Sequence, residues 1–245
     1  KDVCYIKVAD SSVALGQLAD AFYDHPSRKL KLVGITGTNG KTTTVTLLHR
    51  LFMSAGHQTG LLSTIVNKIG NDEIPSTHTT PDAVELNQLL AQMVDRHCEY
   101  CFMEVSSHAL CQHRVSGLRF AGGIFSNITH DHLDFHKTFA NYIAAKKSFF
   151  DKLPKSAFAL TNVDDKNGRV MVQNTKAAIH TYSLRTAADF KGVVMENAFS
   201  GLHMRINNRE VFFRLCGKFN AYNLLAIYGA AVLLGMDEYD ALARM

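Results

Sequence analysis

The sequence predicts an α/β fold: a mostly parallel sheet flanked by helices, with a small antiparallel β subregion. Three observations carry this. Short apolar β-type runs alternate with helical patterns from residue 30 to residue 161. A glycine-rich turn joins the first run to the first long helix. After residue 176 the texture changes to short runs with hairpin signals. Strands alternating with helices bury both faces of a parallel sheet, whereas hairpins mark an antiparallel edge.

In order, Asp10 caps a helix in which Val13, Ala14, Leu15, Leu18 and Phe22 share a face, ending before Pro26. Leu30 to Thr36 is a strand, followed by the glycine-rich turn and a helix with Val45, Leu48, Leu51 and Phe52 inward, stopped by Gly56. Leu61 to Val66 reads as the next strand, and Pro81 as the opening of a helix carrying Val84, Leu89, Leu90, Met93 and Val94. Strands follow at Tyr100 to Val105 and Gly122 to Ile128. Thr138 then caps a helix with Phe139, Tyr142, Ile143, Phe149 and Phe150 on its apolar side. Strand Ala157 to Thr161 leads into the polar turn Asn162-Val163-Asp164-Asp165. Gly201 to Ile206, Asn207-Asn208 and Val211 to Leu215 form a hairpin, and Asn220 begins an alanine-rich helix.

Composition excludes several classes. The chain has 245 residues, 47% hydrophobic and 20% charged, which rules out a disordered chain, a collagen-like repeat or a coiled coil. Lys and Arg exceed Asp and Glu by 26 to 22, and this spread-out excess of +4 makes no case for a nucleic-acid partner. The longest apolar stretch, Leu224 to Met236, is too short to span a bilayer and contains Gly229 and Gly235, so no membrane partner is expected. Five cysteines, an odd number in a chain large enough to hold a core without staples, read as reduced thiols of a cytoplasmic protein. Cys98 and Cys101 have redox or zinc spacing but open an apolar run, so buried strand cysteines are expected. The chain begins at Lys1 without an initiator Met, the expectation being a piece of something longer.

Gly37-Thr38-Asn39-Gly40-Lys41-Thr42-Thr43 lies between strand and helix, where a phosphate cradle has to be. Glycines let backbone N–H groups converge on phosphate oxygens, and the helix presents its unpaired N–H groups and positive end. Lys41 supplies a point charge for the β- and γ-phosphates, and Thr42 a hydroxyl for Mg²⁺. The usual spacing places a glycine where Ile35 stands, so this is a variant phosphate loop in a P-loop-type mononucleotide-binding domain. The stretch from Thr36 to Thr43 resembles the ATP loop of the Mur ligase family, which also includes folylpolyglutamate synthetase. The resemblance implies an ATP-dependent enzyme that phosphorylates a carboxylate and joins the acyl phosphate to an amine.

Glu104 closes a buried-looking strand, and a carboxylate at such a strand end beside a phosphate loop is well placed to hold Mg²⁺. Ser106, Ser107 and His108 lack the G-x-S-x-G elbow of a hydrolase nucleophile. Thr129 to His136 packs three histidines and two aspartates into eight positions, in no standard zinc spacing. Lys146, four residues after Tyr142, falls on the inward side of its helix, while Lys147 is expected in solvent. A buried lysine needs a reason, since desolvation disfavours its charge. The family resemblance implies one: Lys146 carbamylated by CO₂ becomes an anionic oxygen ligand for a second Mg²⁺. Lys146 and His132 match that second metal site, as Thr42 and Glu104 match the first.

Thr77 to Asp82, Glu104 to Leu110 and Gln112 to Val115 resemble the family members that extend UDP-MurNAc-L-Ala-D-Glu by a diamino acid. This implies that Thr79, Thr80, Ser106, Gln112 and Arg114 grip the UDP-MurNAc-dipeptide, and that meso-diaminopimelate (or L-lysine) is the second substrate. A guanidinium at Arg114 suits a carboxylate held in two-pronged geometry. Gly217 to Asn223 resembles the segment near the adenine, with Asn220 and Asn223 as contacts; Asn220 also reads as a plain helix cap.

By the same resemblance, residues 1–10 are the tail of an N-terminal uridine-binding domain and 11–245 the central ATP-binding domain, expected to be monomeric. The Asp-Asn-Pro-Arg motif that selects the incoming amino acid is not in the sequence, so the fragment alone is expected to be inactive. The alternatives are a nucleotide-binding regulatory module, a different ligase of the Mur or folylpolyglutamate type, and a zinc protein built on His130, His132, His136 and the cysteines.

Overall fold

Leu32, Val33 and Ile35 lie on a strand whose alternate side chains enter two different apolar clusters, and the rest of the chain is arranged about that strand. The structure, a computed structural model, describes residues 5–129, 131 and 133–245. In chain order its elements are α1 (Ser11–Phe22), β1 (Lys31–Thr36), α2 (Lys41–Ser54), β2 (Thr59–Leu62), β3 (Val66–Ile69), β4 (Asp72–Pro75), α3 (Ala83–Asp95), β5 (Tyr100–Glu104), α4 (Ser107–Cys111), β6 (Gly122–Phe125), α5 (Leu133–His136), α6 (Phe139–Asp151), β7 (Phe158–Asn162), α7 (Gly168–Val172), β8 (Ala178–Ser183), β9 (Phe190–Ala198), β10 (Gly201–Ile206), β11 (Arg209–Phe213), α8 (Lys218–Leu233) and α9 (Glu238–Arg244).

The strands form one sheet in the order β11-β10-β9-β8-β7-β6-β1-β5-β2-β3-β4. From β2 through β9 neighbouring strands run parallel, with antiparallel pairs at both ends. The predicted fold class is therefore the observed one, extended by a β3–β4 hairpin that periodicity did not reveal. β1 lies between β5 and β6, so the chain leaves it in opposite directions on its two sides. Such a reversal opens a crevice at the C-terminal strand ends, where ligands of open α/β sheets bind. One cluster unites Val33, Ile35, Leu48, Phe52 and the buried face of α8; the other unites Leu32, Met103, Phe125, Phe150 and the apolar side of α3.

Several expectations need correction. Leu61 to Val66 is not one strand: β2 ends at Leu62, and β3 starts at Val66 and turns back against it. Five of these six residues are apolar or β-branched, and Ser63 alone was too weak a signal to reveal the turn in their middle. The strand predicted to reach Ile128 stops at Phe125, because Ser126 and Asn127 turn their side chains onto the phosphate loop. Asp82, not Pro81, opens α3, its carboxylate accepting from the Val84 and Glu85 amides at 2.9 Å each; Val84 points outward and Leu86 takes the buried place. α8 starts one turn earlier than expected, with Gly217 at its cap and Asn220 inside the helix. The last hairpin strand is Arg209–Phe213, not Val211 to Leu215. Lys147 is part-buried, paired with Asp151 at 2.7 Å. Asp10 does cap α1, yet α1 buries Gly16, Ala19 and Asp20 and leaves Leu18 and Phe22 at 64% and 82% exposure. Its small residues, not its large ones, meet the neighbouring segment: a Cβ on Gly16 would lie 2.6 Å from the Ser116 carbonyl.

Cys98 and Cys101 are free and buried, and burial pushes both thiols up, as expected of packing cysteines. No helix among the described residues is long and apolar enough to cross a membrane.

Candidate active site

The site is assembled from the C-terminal ends of β1, β5, β6 and β7. β1 delivers Gly37-Thr38-Asn39-Gly40 directly to the N-terminus of α2. Gly40 has a φ of +88°, and a Cβ there would collide with Asn223 Oδ1; a Cβ on Gly37 would collide with Ser126 Oγ. Both glycines are thus required by close approach, one to α8 and one to the segment after β6. That segment is stitched to the loop: the Thr38 amide donates to the Asn127 carbonyl at 2.8 Å, the Asn39 amide to Asn127 Oδ1 at 3.0 Å, and Ser126 Oγ to the Asn39 carbonyl at 2.8 Å.

Two lysines converge on this loop. Lys41 Nζ donates to the carbonyls of Gly37 and Thr38 at 3.0 and 2.9 Å. Lys146, on α6, is 1% exposed; its Nζ donates to the same Gly37 carbonyl at 2.9 Å and lies 4.8 Å from the centre of the Tyr142 ring. Burial, then the charge of Lys41, holds Lys146 well below the usual lysine range. Burial also lowers Lys41, partly offset by Glu104 and Asp131.

Glu104 is 1% exposed at the end of β5. Its Oε1 accepts from Thr42 Oγ1 at 2.8 Å, from the Thr64 amide at 2.8 Å and from Thr64 Oγ1 at 3.1 Å. The two side chains predicted to share the first metal are therefore in contact, and a carboxylate with a hydroxyl is the hard-oxygen set that Mg²⁺ prefers. The donor set fits the ion. His130 and His132 lie outside the described residues; among those described, no three His, Cys, Asp or Glu side chains cluster as a metal site.

Two cavities flank the lysines. One, of about 370 Å³, is lined by Lys41, Thr42, Thr64, His78, Thr79, Thr80, Glu104, Ser106, His108 and Arg114. Arg114 is fixed there by bonds from Nη1 to the Thr80 carbonyl at 2.7 Å and from Nε to Gln112 Oε1 at 2.9 Å. Gln112 does not line the cavity; it orients Arg114. Thr80 is buried, donating to the Glu104 carbonyl at 2.8 Å and accepting from the Ser106 amide at 3.1 Å, while Ser106 caps α4.

The other cavity, of about 650 Å³, is lined by Asn39, Gly40, Thr43, Asn127, Asn162, Asp164, Asp165, Arg185, Phe219, Tyr222 and Asn223. Asn223 faces it as expected. Asn220 does not; its Oδ1 accepts from Asn223 Nδ2 at 3.1 Å and its Nδ2 donates to the Cys216 carbonyl at 2.8 Å, so it aims Asn223. Sequence reasoning missed Thr64, Asn127, Tyr222 and Asp164. Asp164 accepts from Ser183 Oγ, the Leu184 and Arg185 amides and Tyr222 Oη at 2.7 to 3.1 Å. Burial pushes its carboxyl up, but these hydrogen bonds outweigh it and hold the group below its ordinary range. The polar turn after β7 was the available signal.

A phosphate loop at a sheet reversal, with a buried carboxylate and a second buried lysine, defines a nucleotide-handling site. The chain belongs to the Mur ligase family, residues 35–231 matching the Mur ligase middle domain. It is 61% identical to the UDP-N-acetylmuramoyl-L-alanyl-D-glutamate–2,6-diaminopimelate ligase of Cytophaga hutchinsonii, over 100% of this chain and 50% of that protein. It is 59% identical to the protein of the same name from Phocaeicola vulgatus, over 100% of this chain and 51% of that one. A solved structure of a ligase of that name superimposes with a TM-score of 0.85 at 27% identity, over 98% of this chain and 52% of its own. MurF from Acinetobacter baumannii shares the fold at a TM-score of 0.73 and 19% identity, over 98% of this chain and 50% of its own. The chain spans about half the length of the curated relatives it matches.

Proposed function

We propose that this chain is the ATP-handling centre of an ATP-dependent amide ligase of peptidoglycan precursor synthesis, which adds meso-diaminopimelate to UDP-MurNAc-L-Ala-D-Glu in the cytoplasm. The observation that carries this reading is the contact of Glu104 with Thr42, beside two lysines that meet on the Gly37 carbonyl. A module that only bound a nucleotide has no use for a second buried lysine there. The names of relatives 57 to 61% identical support diaminopimelate over lysine.

In this reading the 650 Å³ cavity takes the nucleoside, with Asn223 at the base, and the loop from Gly37 to Thr43 takes the phosphates. The 370 Å³ cavity takes the dipeptide end of the acceptor, held by Thr79, Thr80, Ser106 and Arg114. Lys41 exchanges its loop carbonyls for phosphate oxygens and stabilises the charge that builds on the γ-phosphoryl group as it passes in line to the D-Glu side-chain carboxylate. ADP leaves. The amine of the second substrate then attacks the acyl carbon, and phosphate departs with the C–O bond. Magnesium, when bound, supplies positive charge against the phosphoryl oxygens; Thr42 and Glu104 would hold one ion, and His132 with carbamylated Lys146 a second. Carbamylation requires the neutral amine, whose lone pair bonds to CO₂ with loss of one proton. The depressed titration of Lys146 supports this by supplying the neutral form.

In the longer protein that carries this chain, ATP should release phosphate only with the UDP-linked dipeptide and diaminopimelate present; acceptor-independent turnover, or binding without turnover, would favour a regulatory module. Lys146→Ala should abolish nearly all activity, with partial recovery in short carboxylic acids.

A further inference from the structure

The turn between β2 and β3 carries Thr64 to the end of β5. Glu104 Oε1 accepts three hydrogen bonds there, two of them from Thr64: its amide at 2.8 Å and its hydroxyl at 3.1 Å. The third comes from Thr42 Oγ1 at 2.8 Å. Among the described residues no hydrogen bond reaches Oε2. The carboxylate is thus fixed by one oxygen, and the other is left to a cation. Thr42 donates its proton and keeps its lone pairs for the same ion. Thr64 Oγ1 also lies 3.2 Å from Thr79 Oγ1, on the wall of the 370 Å³ cavity. A hydroxyl has a single proton, so the proton of Thr64 faces two acceptors, Glu104 and Thr79, and serves one at a time.

We propose that Thr64 is a positioning residue that couples the acceptor to the cation: when the dipeptide engages Thr79, the Thr64 proton passes to Glu104 alone and aligns that carboxylate for the ion. This rests on the function proposed above, in which Thr79 grips the dipeptide and Thr42 and Glu104 hold an ion. Thr80, the next residue, donates to the Glu104 carbonyl at 2.8 Å, so the segment that meets the dipeptide holds both the main chain and, through Thr64, the side chain of Glu104. Magnesium demands near-ideal octahedral geometry, and residues that orient a ligand are commonly worth 10- to 100-fold in metal affinity. The coupling is reciprocal: the cation tightens the dipeptide by the factor by which the dipeptide tightens the cation. Thr64 itself is exposed. The turn is held without its hydroxyl, by Ser76 Oγ donating to the Ser63 carbonyl at 2.7 Å and the Ser63 amide donating to Asn67 Oδ1 at 3.2 Å. Replacement of the Thr64 side chain therefore leaves the fold in place.

The test is a Mn²⁺ titration, followed by electron paramagnetic resonance, of the longer protein with a non-hydrolysable ATP analogue, run with and without UDP-MurNAc-L-Ala-D-Glu. In the parent the dipeptide should tighten Mn²⁺ binding roughly fivefold or more. Thr64→Val keeps the amide bond to Glu104 and loses the hydroxyl. Its Mn²⁺ affinity should be the same with and without the dipeptide, and roughly tenfold below that of the dipeptide-bound parent. Thr64→Ser, which keeps the hydroxyl, should restore the difference between the two titrations. A merely structural defect would weaken both titrations alike and leave their ratio at the parental value. That outcome in Thr64→Val, or a parent that binds both ligands with no effect of one on the other, overturns the coupling while the proposed function stands. A parent that binds no Mn²⁺ beyond what the free analogue takes, or does not bind the dipeptide, overturns both.

Discussion

Lys146 condenses the chemistry of the site into one side chain. An amine this buried prefers to be neutral, so its titration in the folded chain falls well below the ordinary lysine range. Between that lowered position and the ordinary lysine range the unfolded chain binds more protons, so stability rises with pH across the window. Lys146→Met removes the penalty. In CO₂-depleted buffer the variant should melt a few degrees above the parent near neutral pH, given that ~1 kcal/mol moves Tm by about 2–4 °C in a domain of this size. The gain should shrink to nothing as the pH climbs through the lysine range, and ligation by the longer protein should be lost. Calorimetry across pH reads the first result and phosphate release the second; a lower melting point at neutral pH would show that the bond to Gly37 outweighs desolvation. The residue type and its inward position were legible from helical spacing. Its meeting with Lys41 on one carbonyl was not, because residues more than a hundred positions apart meet only through the sheet.

At the scale of elements, caps were the most readable feature and strand ends the least. Asp10 and Thr138, the caps expected of α1 and α6, accept backbone amides of the following turn, a local interaction that sequence spacing encodes. Asp82 does the same where Pro81 was expected to open α3, and Asn220, expected to cap α8, lies inside it. Asp82→Ala should therefore cost about 1 kcal/mol, seen as a lower urea midpoint with unchanged slope. The cost should stay confined to stability, since Asp82 lines neither cavity. Strand ends depend on partners: β6 yields at Ser126 because Asn39 takes the hydrogen bond. α1 shows the same limit, for its hydrophobic stripe was visible in the sequence while the covered face is the one that carries Gly16.

For the molecule as a whole, the larger cavity draws on the phosphate loop, the turn after β7, the segment after β8 and α8 at once. A nucleotide seated there binds the folded chain and not the unfolded one. A tight ATP analogue at a hundred times its Kd should thus add about 2.7 kcal/mol of stability, read as a rise in melting temperature that depends on ligand concentration. Gly40→Ala should remove most of that rise, because the new methyl collides with Asn223 and the backbone at +88° resists a side chain. An undiminished rise in that variant would place the nucleotide elsewhere.

The amino-acid sequence by itself determined the α/β class, the phosphate loop, the caps of α1 and α6 and the acidic strand end. Each is written in spacing over a few residues, where backbone geometry leaves little choice. Only the tertiary structure decided that Thr42 touches Glu104, that Asn220 serves Asn223 and Gln112 serves Arg114, and that Asp164 gathers four donors at the rim of a cavity. The Thr42–Glu104 and Asp164 contacts join distant segments, fixed by the order of strands in the sheet, which no local period in the chain records. The other two pairs are only three and two residues apart, and there the fold decides which member faces a cavity.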